Sequence, residues 1–331
     1  MQLLTNPLRR AMLGTLAAAS LLAMAPTALA QGWPSKPIRL VVGAPAGGTA
    51  DTVARTLAEG LTPLLGQPVI VDNKAGGMGA IGTQDLLQSP HDGYTFMVGV
   101  NGLVSEIPHV VAKSRIDMFK DVKPLAQLTQ TGLLLVGTPS LPASNLQEVI
   151  AYVKAHPGKV NYASYSTGSM SHTMGQELNK LAGLDMTHVG YKGSPPALQD
   201  VMGGHVALMF DGPATSVPLI KAGKLKAFAV GAPKRLAALP DVPTFAELGY
   251  PKIGDLAWIG LWTTPDVPAD VQAKVREATL KVLQQPKVIE RFREQGQDIG
   301  LPLTPEELSK SLLAASDRHA ANLKAIGFQP E

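Results

Sequence analysis

Short apolar runs alternate with segments of helical periodicity along most of the chain. Ile38–Gly43 is apolar except for Arg39, which is typical of a strand buried on both faces of a parallel sheet. In 50–65, apolar residues recur at helical spacing, which predicts a helix. Further apolar runs predict strands at Val69–Val71, Tyr94–Val100, Leu133–Val136, Val160–Ser164, Thr187–Tyr191, Val206–Phe210, Leu225–Val230 and Trp258–Trp262. This alternation predicts an α/β fold in which mostly parallel sheets are flanked by helices.

The length and two proline-bearing stretches predict two domains. Prolines at 139–142 and 240–243 are candidates for the points where the chain crosses between domains. The late strand Trp258–Trp262 needs a sheet to join, so we expect the C-terminal part to return to the first domain. The predicted domains are 31–138 with 234–331, and 139–233, each of a size usual for a folded domain.

Residues 1–30 have the pattern of a cleavable signal peptide. Arg9 and Arg10 precede a short apolar segment, and Ala28-Leu29-Ala30 is a small-x-small cleavage site. An uncleaved anchor is the alternative, but the segment's Ala, Thr and Pro content favours cleavage before Gln31. Since the sequence has no cysteine, lipid attachment is not expected. The sequence predicts export to the periplasm.

Composition excludes several classes of protein. Beyond the leader, 27 basic residues face 26 acidic ones, so no electrostatic basis for binding nucleic acid or an anionic membrane is present. The absence of cysteine excludes thiol nucleophiles, iron–sulfur clusters and disulfides. No metal-binding motif is found, and we expect no metal and no cofactor.

Three glycine-rich turns lie between predicted strands and helices, where ligands bind in open α/β sheets. The first, 43–51, offers free N–H groups for an anion, unless it is a plain turn in which Thr49 caps the helix. The second, 77–82, is a literal G-x-G-x-x-G. Its strand ends too early and no acid follows the next strand, so we reject a dinucleotide site. A backbone-lined turn that faces a cleft remains the alternative.

The third turn, 164–172, contains five serine or threonine hydroxyls that could donate to a carboxylate beside a helix N-terminus. Capping by Ser166 or Thr167 explains one hydroxyl rather than five. Catalysis by Ser169 or Ser171 with His172 is disfavoured, because the chain lacks a G-x-S-x-G elbow and an orienting acid. His172 is either a ligand contact or a core or capping residue.

Two charged residues follow later predicted strands. Lys192 is either a solvated charge or a counter-ion for an acidic ligand, and Asp211 either contacts ligand or caps the next helix. No arginine lies in the glycine-rich turns. We therefore expect backbone N–H groups and hydroxyls to hold an anion, since a buried carboxylate must be hydrogen-bonded.

Six segments together resemble the Bug family, the extracytoplasmic substrate-binding proteins of tripartite tricarboxylate transporters. In chain order they are Pro45 with Gly47, Gly48 and Asp51, then 72–77, 168–172, 188–193, 203–211 and 238–244. Each motif alone is weak, but their order across nearly the whole mature chain is specific.

The resemblance implies a two-domain Venus-flytrap fold, of the type II kind, whose cleft closes on a small mono-, di- or tricarboxylate. It implies a monomer that catalyses no reaction and delivers its ligand to the integral-membrane subunits of a tripartite transporter. The ligand-binding positions carried over are Ala44, Pro45, Gly48, Thr49, Asp51, Ser166, Thr167, Gly168 and Ser171. Where this chain has Tyr165-Ser166-Thr167, the family often has Ser-Gly-Asn. The residues of this chain are bulkier. A carboxylate sensor that docks on a membrane kinase and a secreted serine hydrolase are the alternative functions.

Overall fold

Two β-sheets, each flanked by helices, organise the chain. The computed structural model describes residues 32–112 and 116–330; the predicted signal peptide and Arg115 lie outside the described residues. The strands are β1 (Ile38–Val42), β2 (Val69–Asn73), β3 (Thr95–Val100), β4 (Lys123–Gly132), β5 (Leu134–Gly137), β6 (Asn161–Ser164), β7 (Thr187–Gly190), β8 (Leu208–Asp211), β9 (Lys226–Val230), β10 (Leu256–Thr263) and β11 (Asp298–Ile299).

The helices lie between these strands and after the last long one. A single 3-10 turn (Gly77–Gly79) precedes the second helix. The helices are α1 (Thr49–Leu65), α2 (Ala80–Gln88), α3 (Gly102–Ser105), α4 (Ile107–Val110), α5 (Met118–Asp121), α6 (Leu146–Ala155), α7 (Met170–Ala182), α8 (Ser194–Met202), α9 (Pro213–Lys221), α10 (Ala269–Leu283), α11 (Pro286–Glu294) and α12 (Pro305–Ala325). None of the described helices combines the length and apolar character that crossing a membrane requires.

Each sheet combines parallel strands with one inserted antiparallel strand, and in the first sheet the edge strand β11 also runs antiparallel to its neighbour β4. The first sheet has the order β11-β4-β10-β3-β1-β2, and the second has the order β7-β6-β8-β5-β9. β10 runs antiparallel between β3 and β4, and β5 runs antiparallel between β8 and β9. These are the two strands that the chain enters directly from the other sheet. The predicted α/β fold of two helix-flanked sheets is confirmed, with sheets that are mixed because of these insertions.

The two crossings between the sheets run side by side. The chain leaves β4 and enters β5 through Leu133, which lies before the predicted crossing at 139–142. It returns between β9 and β10, in the segment that contains the predicted crossing at 240–243. The Leu133 carbonyl accepts a hydrogen bond from Gly231 N, and a Cβ at Gly132 would come within 2.0 Å of the Gly231 oxygen. Glycine is therefore required for the two segments to pass this closely. The division into domains at 139 and 233 stays a prediction.

Apolar side chains are buried on the faces of both sheets. Tyr162 and Phe210 lie in the cluster on one face of the second sheet, and Met209 lies in the cluster on its other face. Met97 and Trp262 lie in a cluster of the first sheet. Because these cores fix the strands, the loops at the strand ends hold defined positions around the cavity described next.

Candidate functional site

A cavity of about 440 Å³ lies at the ends of strands from both sheets. On the first sheet it is lined by the loops after β1, β2 and β3 and by the ends of β4 and β10. On the second sheet it is lined by the loops after β6, β7 and β8. We call these two sets of residues the first wall and the second wall. Their position is where open α/β sheets bind ligands.

The first glycine-rich loop contributes Ala44, Pro45, Gly48 and Thr49 to the first wall. Gly47 has φ +77, a conformation that favours glycine, and the turn is closed by a hydrogen bond from Gly48 N to the Pro45 carbonyl. The Thr49 hydroxyl is buried and has no hydrogen-bond partner in the described chain. It is therefore an unpaired hydrogen-bonding group in the cavity wall.

Asp51 belongs to the same loop but does not line the cavity. Its carboxylate accepts hydrogen bonds from the Gly47 amide at 2.9 Å, from Arg55 at 2.9 Å and from Asn73 at 2.9 Å. Burial acts to raise the pKa of Asp51, but these hydrogen bonds outweigh it and hold the pKa below its usual value. Asp51 thus fixes the loop from behind.

The second glycine turn, Gly76–Gly79, also lines the first wall. Gly76 and Gly79 have φ of +126 and +97, and a Cβ at Gly79 would come 2.3 Å from a methyl carbon of Leu103. Glycine is needed here because the backbone itself forms the cavity surface. This arrangement corresponds to the backbone-lined turn that is the alternative to a dinucleotide site.

The serine-rich loop contributes Ser166 and Thr167 to the second wall, while Gly168, Ser171 and His172 lie behind it. The Ser171 hydroxyl donates to the Phe210 carbonyl, and His172 Nδ1 accepts from the Gly168 amide at 3.0 Å. Burial lowers the pKa of His172 to about 4, so the ring is neutral at pH 7. These three residues hold the loop in place rather than face the cavity.

Lys192 and Asp211 take different positions in the second wall. Lys192 is exposed and lines the cavity, whereas Asp211 is fully buried behind it. The Asp211 carboxylate accepts hydrogen bonds from the hydroxyls of Ser194, Thr215 and Ser216. Burial raises the pKa of Asp211, although these three donors act in the opposite direction.

The two walls touch each other beside the first loop. A Cβ at Gly193 would come 2.6 Å from the Pro45 ring, and Gly193 itself has φ +112. A Cβ at Gly212 would come 2.6 Å from the Thr49 hydroxyl. Glycine at both positions therefore allows the second wall to touch the first loop.

Four polar residues that line the cavity beside the first sheet were missed by sequence reasoning: Glu106, Thr129, Thr131 and Gln297. Thr129 lies in β4, which has no clear apolar run, and Gln297 precedes the two-residue strand β11. The Thr129 hydroxyl and both polar atoms of the Gln297 amide are buried without partners in the described chain. Glu106 is a single acid within the apolar stretch 102–111, a signal that could have identified it.

The cavity contains few charges. Its charged lining residues in the described chain are Glu106 and Lys192, and no described arginine lines it. Arg39 pairs with Asp72 and Asp85, and Arg55 pairs with Asp51. Among the residues that the structure describes, no group of His, Asp or Glu side chains could hold a metal ion.

Comparison with known proteins identifies similar sequences and structures. The model of the family described as "Tripartite tricarboxylate transporter family receptor" matches residues 53–326. A UPF0065 protein of Bordetella pertussis is 32% identical over 97% of this chain and 98% of its own length.

Three solved structures share the fold along nearly their whole length. The periplasmic binding protein BugD has 31% identity and a TM-score of 0.85, with 90% of this chain and 100% of BugD covered. An R. palustris protein with adipate has 29% identity and a TM-score of 0.87 over 90% and 100% of the two chains. MatC from Rhodopseudomonas palustris with bound malate has 31% identity and a TM-score of 0.81 over 88% and 100%.

Proposed function

We propose that this chain, which belongs to the tripartite tricarboxylate transporter receptor family, captures a small carboxylate in the cavity between its two walls and delivers it to the membrane subunits of such a transporter. As a family member it is a solute-binding protein of the TctC/Bug type. We place it in the periplasm as a monomer, after removal of the predicted signal peptide, with ligand capture rather than catalysis as its task.

The observation that carries this proposal is the set of unused hydrogen-bonding groups in the cavity wall. The side chains of Thr49, Thr129 and Gln297 each have a buried polar atom without a partner in the described chain. Leaving such groups unpaired costs roughly 1–3 kcal/mol each. A ligand with oxygen acceptors would recover that free energy, and a carboxylate offers two such oxygens.

The closeness of the two walls supports capture by enclosure. Pro45 and Thr49 of the first loop lie against Gly193 and Gly212 of the second wall. A ligand that hydrogen-bonds to both walls would add contacts across the gap and favour the closed arrangement. Two structural relatives hold adipate and malate, which are small carboxylates.

The serine hydrolase alternative is weakened by where the hydroxyls point. Ser169 donates to the Ser166 carbonyl and Ser171 donates to the Phe210 carbonyl, so neither is paired with His172. Ser164 does lie 2.7 Å from His188 Nε2, but Ser164 is fully buried and outside the cavity lining. A nucleophile must reach the substrate, and Ser164 does not meet that condition.

The direct test is native mass spectrometry of gently purified protein, followed by a thermal-shift screen of mono-, di- and tricarboxylates. When the free concentration of a bound acid is a hundred times its Kd, binding adds about 2.7 kcal/mol to the free energy of unfolding. This raises the thermal midpoint by a readily measured amount. Deletion of the gene should abolish uptake of the same acid, whereas a sensor would leave transport intact.

A matched pair of variants locates the site. Thr49→Val removes the unpartnered hydroxyl at nearly constant volume and should weaken binding about tenfold, or ~1.4 kcal/mol. Thr187→Val makes the same change at an exposed position of β7 outside the cavity lining and should leave affinity unchanged. Equal affinities in all three proteins would argue against this cavity as the binding site.

A further inference from the structure

Glu106 is a buried acid in the first wall, between α3 and α4. The residue is 8% exposed, and its carboxyl group lies over Gly102, where a Cβ would come 2.6 Å from the carboxyl carbon. One hydrogen bond reaches this carboxylate in the described chain, from the Met170 amide at 3.4 Å. That distance is at the long limit for a hydrogen bond. The hydrogen bonds of the protein therefore replace little of the hydration that the Glu106 carboxylate loses on burial.

The electrostatics agree with this geometry. Burial raises the pKa of Glu106 to about 7, and the Met170 amide opposes that change only weakly. An ionised carboxylate at this depth needs hydrogen-bond donors. Lys192 is the one cation in the described cavity lining, and no ion pair joins it to Glu106. The Tyr165 hydroxyl also lies nearby, and the charge of Glu106 adds to burial in raising the pKa of Tyr165. Beyond the long hydrogen bond from Met170, an ionised Glu106 therefore depends on the contents of the cavity for further donors.

Other groups of the cavity wall are hydrogen-bond donors, whereas Glu106 is an acceptor. The Thr49 hydroxyl of the first loop can donate, as can the Ser166 hydroxyl of the second wall. These groups suit the carboxylate of a ligand. Glu106 suits the opposite chemistry, because an ionised carboxylate only accepts hydrogen bonds. A second ligand carboxylate beside it would place two like charges in a poorly solvated space.

We propose that Glu106 determines specificity by accepting a hydrogen bond from a hydroxyl or ammonium group of the ligand. This inference rests on the proposed function, and it narrows the ligand to a small monocarboxylate with a hydrogen-bond donor at its far end. Acids that carry a second carboxylate at that end are selected against.

The test measures affinity by calorimetry at pH 8 on protein freed of co-purified ligand by unfolding and refolding. Four classes of acid are compared: the simple monocarboxylate, the ω-hydroxy acid, the ω-amino acid and the dicarboxylate. Each class is measured at chain lengths of four, five and six carbons. The wild type should bind the hydroxy or amino acid of the best length at least tenfold more tightly than the matching dicarboxylate.

Glu106→Gln then separates recognition from general damage. The neutral amide should bind the dicarboxylate at least tenfold more tightly than the wild type does, and the amino acid more weakly. Glu290→Gln, an exposed acid of α11 outside the cavity lining, is the matched control and should change neither. Thermal midpoints of the unliganded proteins check that each variant folds.

The outcomes distinguish the two proposals. If no acid of any series binds the wild type, carboxylate capture itself is wrong. If the wild type binds dicarboxylates at least as tightly as the hydroxy and amino acids, capture stands and the role of Glu106 is overturned. That role is also overturned if Glu106→Gln changes the affinity for all four classes by one common factor.

Discussion

The two walls of the cavity each bury an acid, and they surround it in opposite ways. Asp211 in the second wall accepts three hydroxyl hydrogen bonds, at 2.5 Å from Ser194, 2.5 Å from Thr215 and 2.6 Å from Ser216. Glu106 in the first wall accepts one hydrogen bond at 3.4 Å. Asp211 therefore joins the end of β8 to the first turns of α8 and α9. Glu106 keeps acceptor capacity that the protein does not use, so burial alone does not distinguish a structural acid from a ligand-binding one.

The largest expected effect on stability comes from removing Asp211, the acid whose hydrogen-bonding capacity is filled by the protein. Asp211→Ala takes the acceptor away from three hydroxyls, two of them on the buried Ser194 and Ser216, and we expect the free energy of unfolding to fall by ~3 kcal/mol or more. Urea unfolding measures this loss directly. Asp266→Ala removes an acid whose side chain is 78% exposed and should cost almost nothing. A loss below ~1 kcal/mol at Asp211 would break the contrast between the walls.

Removing the charge of Glu106, which has one long hydrogen bond, should raise the free energy of unfolding rather than lower it, and by an amount that depends on pH. The native pKa of Glu106, about 7, lies above the ordinary 4.5. Between these values the native state holds the proton more tightly than the unfolded chain does, so stability falls as pH rises. The contribution of Glu106 to the free energy of unfolding is fully present below pH 4.5 and is lost as pH rises through 7. It amounts to up to ~3 kcal/mol.

Glu106→Gln lacks this titration. Relative to the wild type, the variant should therefore gain up to ~3 kcal/mol between pH 4.5 and pH 8, as measured by urea unfolding at both values. Burial lowers the pKa of His172, His188 and His319 to about 4, so these rings titrate in part of the same range. They are present in both proteins and cancel in the difference. A pH-independent difference would contradict the assignment.

The serine-rich loop tests the donor function of the second wall. Ser166→Ala removes a cavity hydroxyl and should weaken carboxylate binding about tenfold, or ~1.4 kcal/mol, without lowering the free energy of unfolding. Ser171→Ala removes a hydroxyl that donates to the Phe210 carbonyl behind the loop. We expect that variant to lose stability instead. Reversed results would mean that the loop presents Ser171 to the ligand.

The smallest effect is expected at Gln297, whose amide has no partner for either polar atom in the described chain. Gln297→Leu should weaken binding about fivefold, or ~1 kcal/mol, because one neutral hydrogen bond is lost. The unliganded protein should become slightly more stable, since an unpaired buried amide is replaced by an apolar group. Calorimetry and urea unfolding on the same preparation measure both changes.

Much of the fold could be predicted from local patterns. Ile38–Val42 and Thr95–Val100 are apolar except for Arg39 and Thr95, and they form buried strands as expected. The resemblance to the Bug family is confirmed by the family match and by the structural relatives. β4 was missed because Gln127 and Thr129 are polar yet buried. Only the tertiary structure shows that burial.

The candidate site could be predicted less completely. The glycine-rich loops were found because turns after strands leave a signature, and Ala44, Pro45, Gly48, Thr49, Ser166, Thr167 and Lys192 line the cavity. Whether a side chain faces the cavity depends on distant partners. Ser171 is held by a carbonyl of β8, and Asp51 is held by Asn73 of β2. Neither contact follows from the spacing of the loop, and ligand contact by any of these residues stays a prediction.

The central claim is that hydroxyl and amide groups of both walls hold a carboxylate without an arginine. A crystal structure with the acid selected in the binding screens tests it most directly. We predict one ligand carboxylate within hydrogen-bond distance of the Thr49 hydroxyl of the first wall and of the Ser166 hydroxyl of the second. A ligand carboxylate held by a bidentate arginine, with these loops unoccupied, would contradict the account.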